Sequence, residues 1–412
     1  MTGPAAPRGV RIRRHYPGGF REQRSVRAAR PARHERGAAG GSAPGRRAGD
    51  HSAVRPGRRT ASQATAVRSL EGLSVKYDDI YLAGHGASLP PAKPVAEAVA
   101  EGLLDPETAR RTKAEAVVVS DGRSGPEFAA EAARAALAAT APGLADRVDL
   151  LLHATVYHQG HDLWAPASYV QREALRNSCP AIEIRQLSNG GMAALELGAG
   201  YLSGVEGREA VLLTAGDRFA PPGFDRWNGD PGTLYGDGGS ALVLSRRGGF
   251  ARLRSLVTLS DSELEGMHRG DDPFGAAPFE HRPVIDLEVA KQAFVARHGV
   301  SWCVTRVSGG QHAAVKAALA EADVRLEDID RFVLPHLGHR RLSAAFFKPF
   351  GIDPERSTWP WSRSVGHLGA ADQFAGLGHL VASGGLRPGG LALLLGIGAG
   401  FSWSAAVVEA TA

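Results

Sequence analysis

The sequence predicts an α/β protein built from two duplicated halves, and three observations carry that expectation. The stretch IEIRQLSNGGMAALELGAGYLSG, Ile182 to Gly204, reads as a β-branched strand, a turn and a helix of small residues. A helix, a short acidic turn and a buried apolar strand then follow one another twice. PEFAAEAARAALAATA (Pro126 to Ala141) leads to DRVDLLLHATV (Asp146 to Val156), and QHAAVKAALAEADVRLEDIDRFVLPHL spans Gln311 to Leu337. Unbroken apolar strands of this kind are the ones parallel sheets bury on both faces. Each half closes on paired strands: AVLLTAG with GSALVLS in the first, LALLLGIGAG with SWSAAVVE in the second.

The chain has 412 residues, 43% of them hydrophobic, enough for one large core or two fused ones. Its two cysteines, Cys179 and Cys303, make neither a disulfide framework nor, without clustered partners, a zinc site, so no metal is expected. A reducing, cytoplasmic setting fits that usage. No apolar run approaches the ~20 residues of a membrane span, so no membrane partner is expected.

Charge is unevenly placed. Residues 1–70 hold sixteen arginines, no lysine and three acids, a formal charge of +13 against +5 for the whole chain. Dense in Gly, Pro and Ala and without apolar periodicity, residues 1–72 are expected to be a disordered leader. Such a leader could serve as a nucleic-acid-binding arm or a transit peptide. The preferred expectation is a start codon placed too far upstream, with no nucleic-acid partner. Order is expected from about Leu73, as a first half over 73–246 and a second over 247–412.

The turn QLSNGG raises the functional question. A strand-to-helix turn that presents one serine above a helix N-terminus resembles a nucleophile elbow. Gln186 stands where the usual G-x-S-x-G pattern has its first glycine, and Ser188 taken alone also reads as an N-cap. The second half carries SVGHLGAADQFAGLGHL at the corresponding place, with His367 where the first half has Ser188. If the halves pack about a pseudo-twofold axis, the two turns meet and bring Ser188 toward His367. Asp372, five residues on, is then placed to orient the imidazole as in a Ser-His-Asp triad. His336, ending the strand of the second half, is a competing base. His268, in the polar loop EGMHRGDDPFG, is a third candidate that could fold over the cleft. His153, His158 and His161 read as structural or cleft-lining. A dinucleotide site is not expected, because GIGAG is followed by a strand where the Rossmann fingerprint requires a helix.

Beyond the leader, several segments together resemble one known family, the thiolase-fold ketosynthases of the ketoacyl-ACP synthase III type. The helix after DLLLHATV carries Ser168-Tyr169-Val170-Gln171, whose Ser168 and Gln171 resemble the Ser and Gln of the family's S-x-x-V/L-Q helix, one residue closer together. VLLTAGDRF, TLYGDGGSALVLS, DIDRFVLPH and LGIGAGFSWSAAVVE resemble further motifs of the family in the right order. The resemblance implies a thiolase-like fold: two pseudo-twofold-related βαβαβαββ halves in a five-layer αβαβα arrangement, assembled as a homodimer.

Family members carry a nucleophilic Cys at the elbow, then a His and an Asn. In this chain those positions are Ser188, His336 and His367, so the nucleophile is a hydroxyl that needs a general base. The resemblance also implies an oxyanion hole made by the amide of Ser188 and that of Ala399 in the turn Gly398-Ala399-Gly400. It makes Arg111 and Thr112 candidates for coenzyme A binding. Trp227, in the turn-rich stretch between two first-half strands, is a candidate for the rim of the substrate channel. No cofactor is expected, acyl-CoA being a substrate. The implied reaction loads a short acyl group, propionyl or acetyl, from acyl-CoA onto Ser188. It is then passed to an acyl carrier protein or condensed with malonyl-ACP, as in the starter-unit enzymes of anthracycline-type polyketide pathways. Two alternatives stay open: an O-acyltransferase that esterifies a sugar or small alcohol, to which GHLGAADQ is similar, and a catalytically silent partner subunit.

Overall fold

The structure, a computed structural model, describes residue 77 and residues 79–411. The expectations for residues 1–72 lie outside the described residues. Eleven strands are found among those described: β1 (Tyr81–Ser88), β2 (Ala92–Pro94), β3 (Ala116–Val118), β4 (Val148–Ala154), β5 (Ala181–Ile184), β6 (Ala210–Asp217), β7 (Gly238–Ser245), β8 (Ala251–Ser260), β9 (Arg331–Val333), β10 (Leu391–Gly398) and β11 (Ser402–Ala410). β2 and β3 form a small separate antiparallel sheet. The other nine form one mixed sheet in the order β5-β4-β6-β7-β1-β8-β11-β10-β9.

The duplication is visible in that order. Outward from the β1/β8 junction, β1-β7-β6-β4 is matched by β8-β11-β10-β9. β7 is antiparallel to both of its neighbours, as is β11, while β4 and β9 run parallel to theirs. β5 extends the first half beyond β4. In the second half its place is held by a single parallel bridge between Phe332 and Ser357. Two residue pairs, Tyr81 with Arg252 and Leu82 with Ala251, join the half-sheets.

Helices supply the remaining layers. Gly125–Ala138 lies against β1, β6 and β7 on the outer face of the first half, and Val300–Ala322 against β8 and β11 on that of the second. Between the half-sheets lie Gly190–Gly204 and Asp372–Ala382, whose Leu195, Phe374 and Leu377 are buried in the largest core cluster. The five layers and the paired order expected from the sequence are therefore present. The second outer helix starts at Val300, eleven residues before the expected Gln311, because Gly309-Gly310 masks its helical signature. Gly310 is there for packing: a Cβ would lie 2.4 Å from the Trp403 ring. Among the described residues no helix is long and apolar enough to cross a membrane.

Candidate active site

Both turns singled out in the sequence sit in the central layer, and they touch. β5 runs into a single 3₁₀ turn, Leu187–Asn189, before the Gly190–Gly204 helix. Leu187 has φ 47°, a left-handed conformation that costs a non-glycine residue energy and is typical of strained turns at functional sites. A Cβ on Gly191 would lie 2.3 Å from the Ala370 carbonyl oxygen, so glycine is what lets the second turn approach. His367 is fixed by the first half as well: its N–H donates to Leu234 O at 2.8 Å and its carbonyl accepts from Gly236 N at 2.9 Å.

The side chains complete a chain of contacts. Ser188 Oγ is 2.8 Å from His367 Nε2, and His367 Nδ1 is 2.6 Å from Asp372 Oδ2. Asp372 is fully buried and accepts two amides besides, His336 N at 2.8 Å on Oδ2 and Leu368 N at 2.8 Å on Oδ1. Burial alone would push its carboxyl up, but the two facing imidazoles and these hydrogen bonds hold it below its ordinary value. His367 shows the converse. Burial disfavours its cation, yet Asp372 outweighs that and raises its pKa above 6.5. Such a ring is a stronger base than free imidazole while its Nε2 faces the hydroxyl.

His336 shares the carboxylate but not the serine. Its Nδ1 lies 3.2 Å from Asp372 Oδ1 and 3.1 Å from Gly366 O, and its Nε2 is buried without a partner. Burial keeps this imidazole below its usual pKa, against the opposing pull of Asp372. The place at Ser188 that the sequence left open between His336, His367 and His268 is thus filled by His367.

Ser188 opens into a cavity of about 1080 Å³. Its wall includes Ala399, His268 and an aromatic group of Tyr157, Phe219, Phe224 and Tyr235, the last edge-on to His367 at 5.1 Å between ring centroids. His268 sits on a short helix, Gly266–Arg269. It is reachable through the cavity yet densely surrounded, and desolvation lowers its pKa. Ala399 and Ser188 thus share one chamber, with β10 pressed onto the elbow: a Cβ on Gly398 would lie 2.7 Å from Asn189 N. His158 also lines the cavity, whereas His153 is buried behind it against Thr214 and Gln159, its pKa driven down to about 4 by burial.

Three expected substrate contacts fall elsewhere. Trp227 is buried in a satellite cluster with Val95, Leu104 and Leu234, where its indole fills a hydrophobic core and does not line the cavity. Thr112 is buried too: its hydroxyl donates to Ala109 O at 3.1 Å within the Pro106–Thr112 helix, and it packs under Gly338. Arg111 is exposed on that same helix and is not part of the cavity lining. Sequence reasoning missed Asp217 at the end of β6. It accepts the amides of Val156 and Tyr157 (3.0 and 2.8 Å), and burial lifts its carboxyl to about 7. Its signal was available, since β6 ends on TAGD and chemistry in such sheets gathers at carboxyl ends of strands.

Comparison with known proteins agrees with this fold. Residues 319–410 match the family model described as 3-Oxoacyl-[acyl-carrier-protein (ACP)] synthase III C terminal. A solved structure named ChlB3, an acyltransferase, is 34% identical, with a TM-score of 0.77 over 81% of this chain and 98% of its own. The 3-oxoacyl-(acyl carrier protein) synthase III of Pseudomonas aeruginosa superposes with a TM-score of 0.63 at 21% identity, over 81% and 99% of the two chains. The beta-ketoacyl-[acyl-carrier-protein] synthase III of Rhizorhabdus wittichii is 26% identical over 292 residues, 71% of this chain and 86% of its own.

Proposed function

Since the chain belongs to the ketoacyl-ACP synthase III-like family of thiolase-fold acyltransferases, we propose that it carries acyl groups as an ester on Ser188. The observation that supports this reading is the contact series Ser188 Oγ, His367 Nε2, His367 Nδ1, Asp372 Oδ2, opening on one cavity. The hydroxyl attacks the carbonyl carbon of an acyl thioester while His367 Nε2 takes its proton. Asp372 keeps the imidazole oriented and steadies the imidazolium that forms. The proton then passes to the departing thiolate. The amides of Ser188 and Ala399 are proposed to receive the oxyanion.

The donor is proposed to be propionyl- or acetyl-CoA, and the role a priming step in polyketide assembly by a cytoplasmic homodimer. For the acceptor, handover to the thiol of an acyl carrier protein is proposed over condensation with malonyl-ACP, because the position that the resemblance gives to the family's Asn is His367 in this chain, and its Nε2 is held at the Ser188 hydroxyl. A hydroxyl acceptor, as in an O-acyltransferase, uses the same base and is the second reading. A silent subunit would have no use for a supported base beside the serine.

The test is sequential. The protein is incubated with propionyl-CoA, freed of it, and offered holo-acyl carrier protein, malonyl-ACP or a sugar acceptor in parallel, with each product weighed. Transfer to the carrier with loss of the protein's own adduct is expected. An adduct that forms equally well in Ser188→Ala refutes the assignment of the nucleophile.

A further inference from the structure

We propose that this protein also acts as an acyl-thioester hydrolase, releasing the free acid when no carrier or alcohol acceptor is present. The proposal rests on the acyl-Ser188 reading and goes beyond it, to the fate of the ester.

Two features of the site carry it. The first is the base. Once the thiol has left with its proton, His367 Nε2 is again neutral, still held by Asp372 and still beside the ester oxygen. The task it must perform for a carrier thiol or an alcohol is removal of one proton from the attacking atom, and water presents the same task. The second feature is access. Ser188 itself is half-buried, not sealed, and faces a cavity of about 1080 Å³. Exposed charged side chains line that cavity, Asp162, Arg185 and Asp286 among them. Charged groups of this kind hold water because stripping them of it is costly. Enzymes that protect a reactive intermediate from hydrolysis do so by expelling solvent on closure, and in this cavity charged groups that retain water stand beside the aromatic wall.

The chemistry balances without a further reagent. In the first half the Ser188 Oγ–C bond forms, the C–S bond breaks, and the serine proton reaches the thiolate through His367. In the second, water oxygen bonds to the same carbon while His367 Nε2 takes its proton. The C–Oγ bond then breaks and the proton returns to Ser188 Oγ, leaving a carboxylic acid and the free enzyme. Nothing is oxidised or reduced.

The experiment follows free thiol released from propionyl-CoA by the purified full-length protein, without any carrier or alcohol. It is run in ¹⁸O-enriched water, and the intact protein is weighed at intervals. Release continuing through many equivalents per active site is expected, with one ¹⁸O in each propionate. Release is expected to fall a hundredfold or more in Ser188→Ala and also in Asp372→Asn, so that the conclusion does not hang on the folding of one variant. A single equivalent of thiol followed by a lasting propionyl adduct on Ser188 overturns hydrolysis while leaving the acyl-carrying role in place. Unchanged release in Ser188→Ala together with the absence of any adduct overturns both.

Discussion

Ser188 and His367 lie 179 positions apart in the chain and 2.8 Å apart in the fold, one on each copy of a duplicated strand-turn-helix unit. The contact depends on two close approaches, Gly191 against Ala370 and the backbone of His367 against Leu234 and Gly236.

Asp372 sets the basicity of His367, which gives a signed pH prediction. His367 must be neutral to accept the serine proton, and Asp372 raises its pKa above 6.5. The acylation rate should therefore fall as pH drops through that raised value. In Asp372→Asn the negative charge is gone, the imidazole loses its proton more readily, and the acid limb should move to lower pH. The plateau rate should drop by about 10³–10⁴, the scale on which a triad fails when its carboxylate is removed. Stopped-flow thiol release across pH checks both, and an unmoved limb would speak against the coupling.

The two imidazoles on Asp372 should separate by mutation. His367→Gln removes the group at Ser188 and should slow acylation by about 10⁴ or more, at least as much as Asp372→Asn. His336→Gln leaves the His336 amide on Asp372 and does not touch the serine. Its acylation rate should stay within about tenfold of the parent. Equal losses in single-turnover acylation would show that His336 takes part directly.

Much of this arrangement was legible in the chain, for a physical reason. Strand, turn and helix periodicities are local, and a duplicated unit must place its two turns symmetrically, so Ser188, His367 and Asp372 could be named before any coordinates. Which neighbours a side chain meets is not local. Trp227 and Thr112 sit in motif-like stretches, but their direction is set by the satellite core around Val95 and Leu234 and by the pressure of Gly338. Asp217 is different: its place at the end of β6 was legible, while its partners Val156 and Tyr157, some sixty positions away, were not.

Trp227 offers a test of that distinction. It is 7% exposed within its cluster. Trp227→Ala should cost about 3–5 kcal/mol of stability through the cavity it leaves. KM for acyl-CoA should hardly change, because the indole does not line the chamber. Denaturant melts beside steady-state kinetics report on both, and a large KM change at intact stability would return Trp227 to the substrate channel.

Gly191→Ala tests the meeting of the turns. Its Cβ would lie 2.3 Å from Ala370 O, a backbone atom that cannot step aside cheaply. Overpacking of this kind costs about 1–3 kcal/mol, and the displaced turn should carry His367 away from Ser188. Acylation should slow by more than the stability loss explains, as measured on protein shown by circular dichroism to be folded. A folded variant with parental acylation would place the control of the contact elsewhere.

The most direct measurement is the position of the acyl group itself. After brief reaction with propionyl-CoA and acid quenching, proteolytic fragments are mapped by tandem mass spectrometry. The propionyl mass is predicted on Ser188 and nowhere else in the fragment that contains it. Its discovery on Cys179 or Cys303, or on no residue at all, would contradict the account.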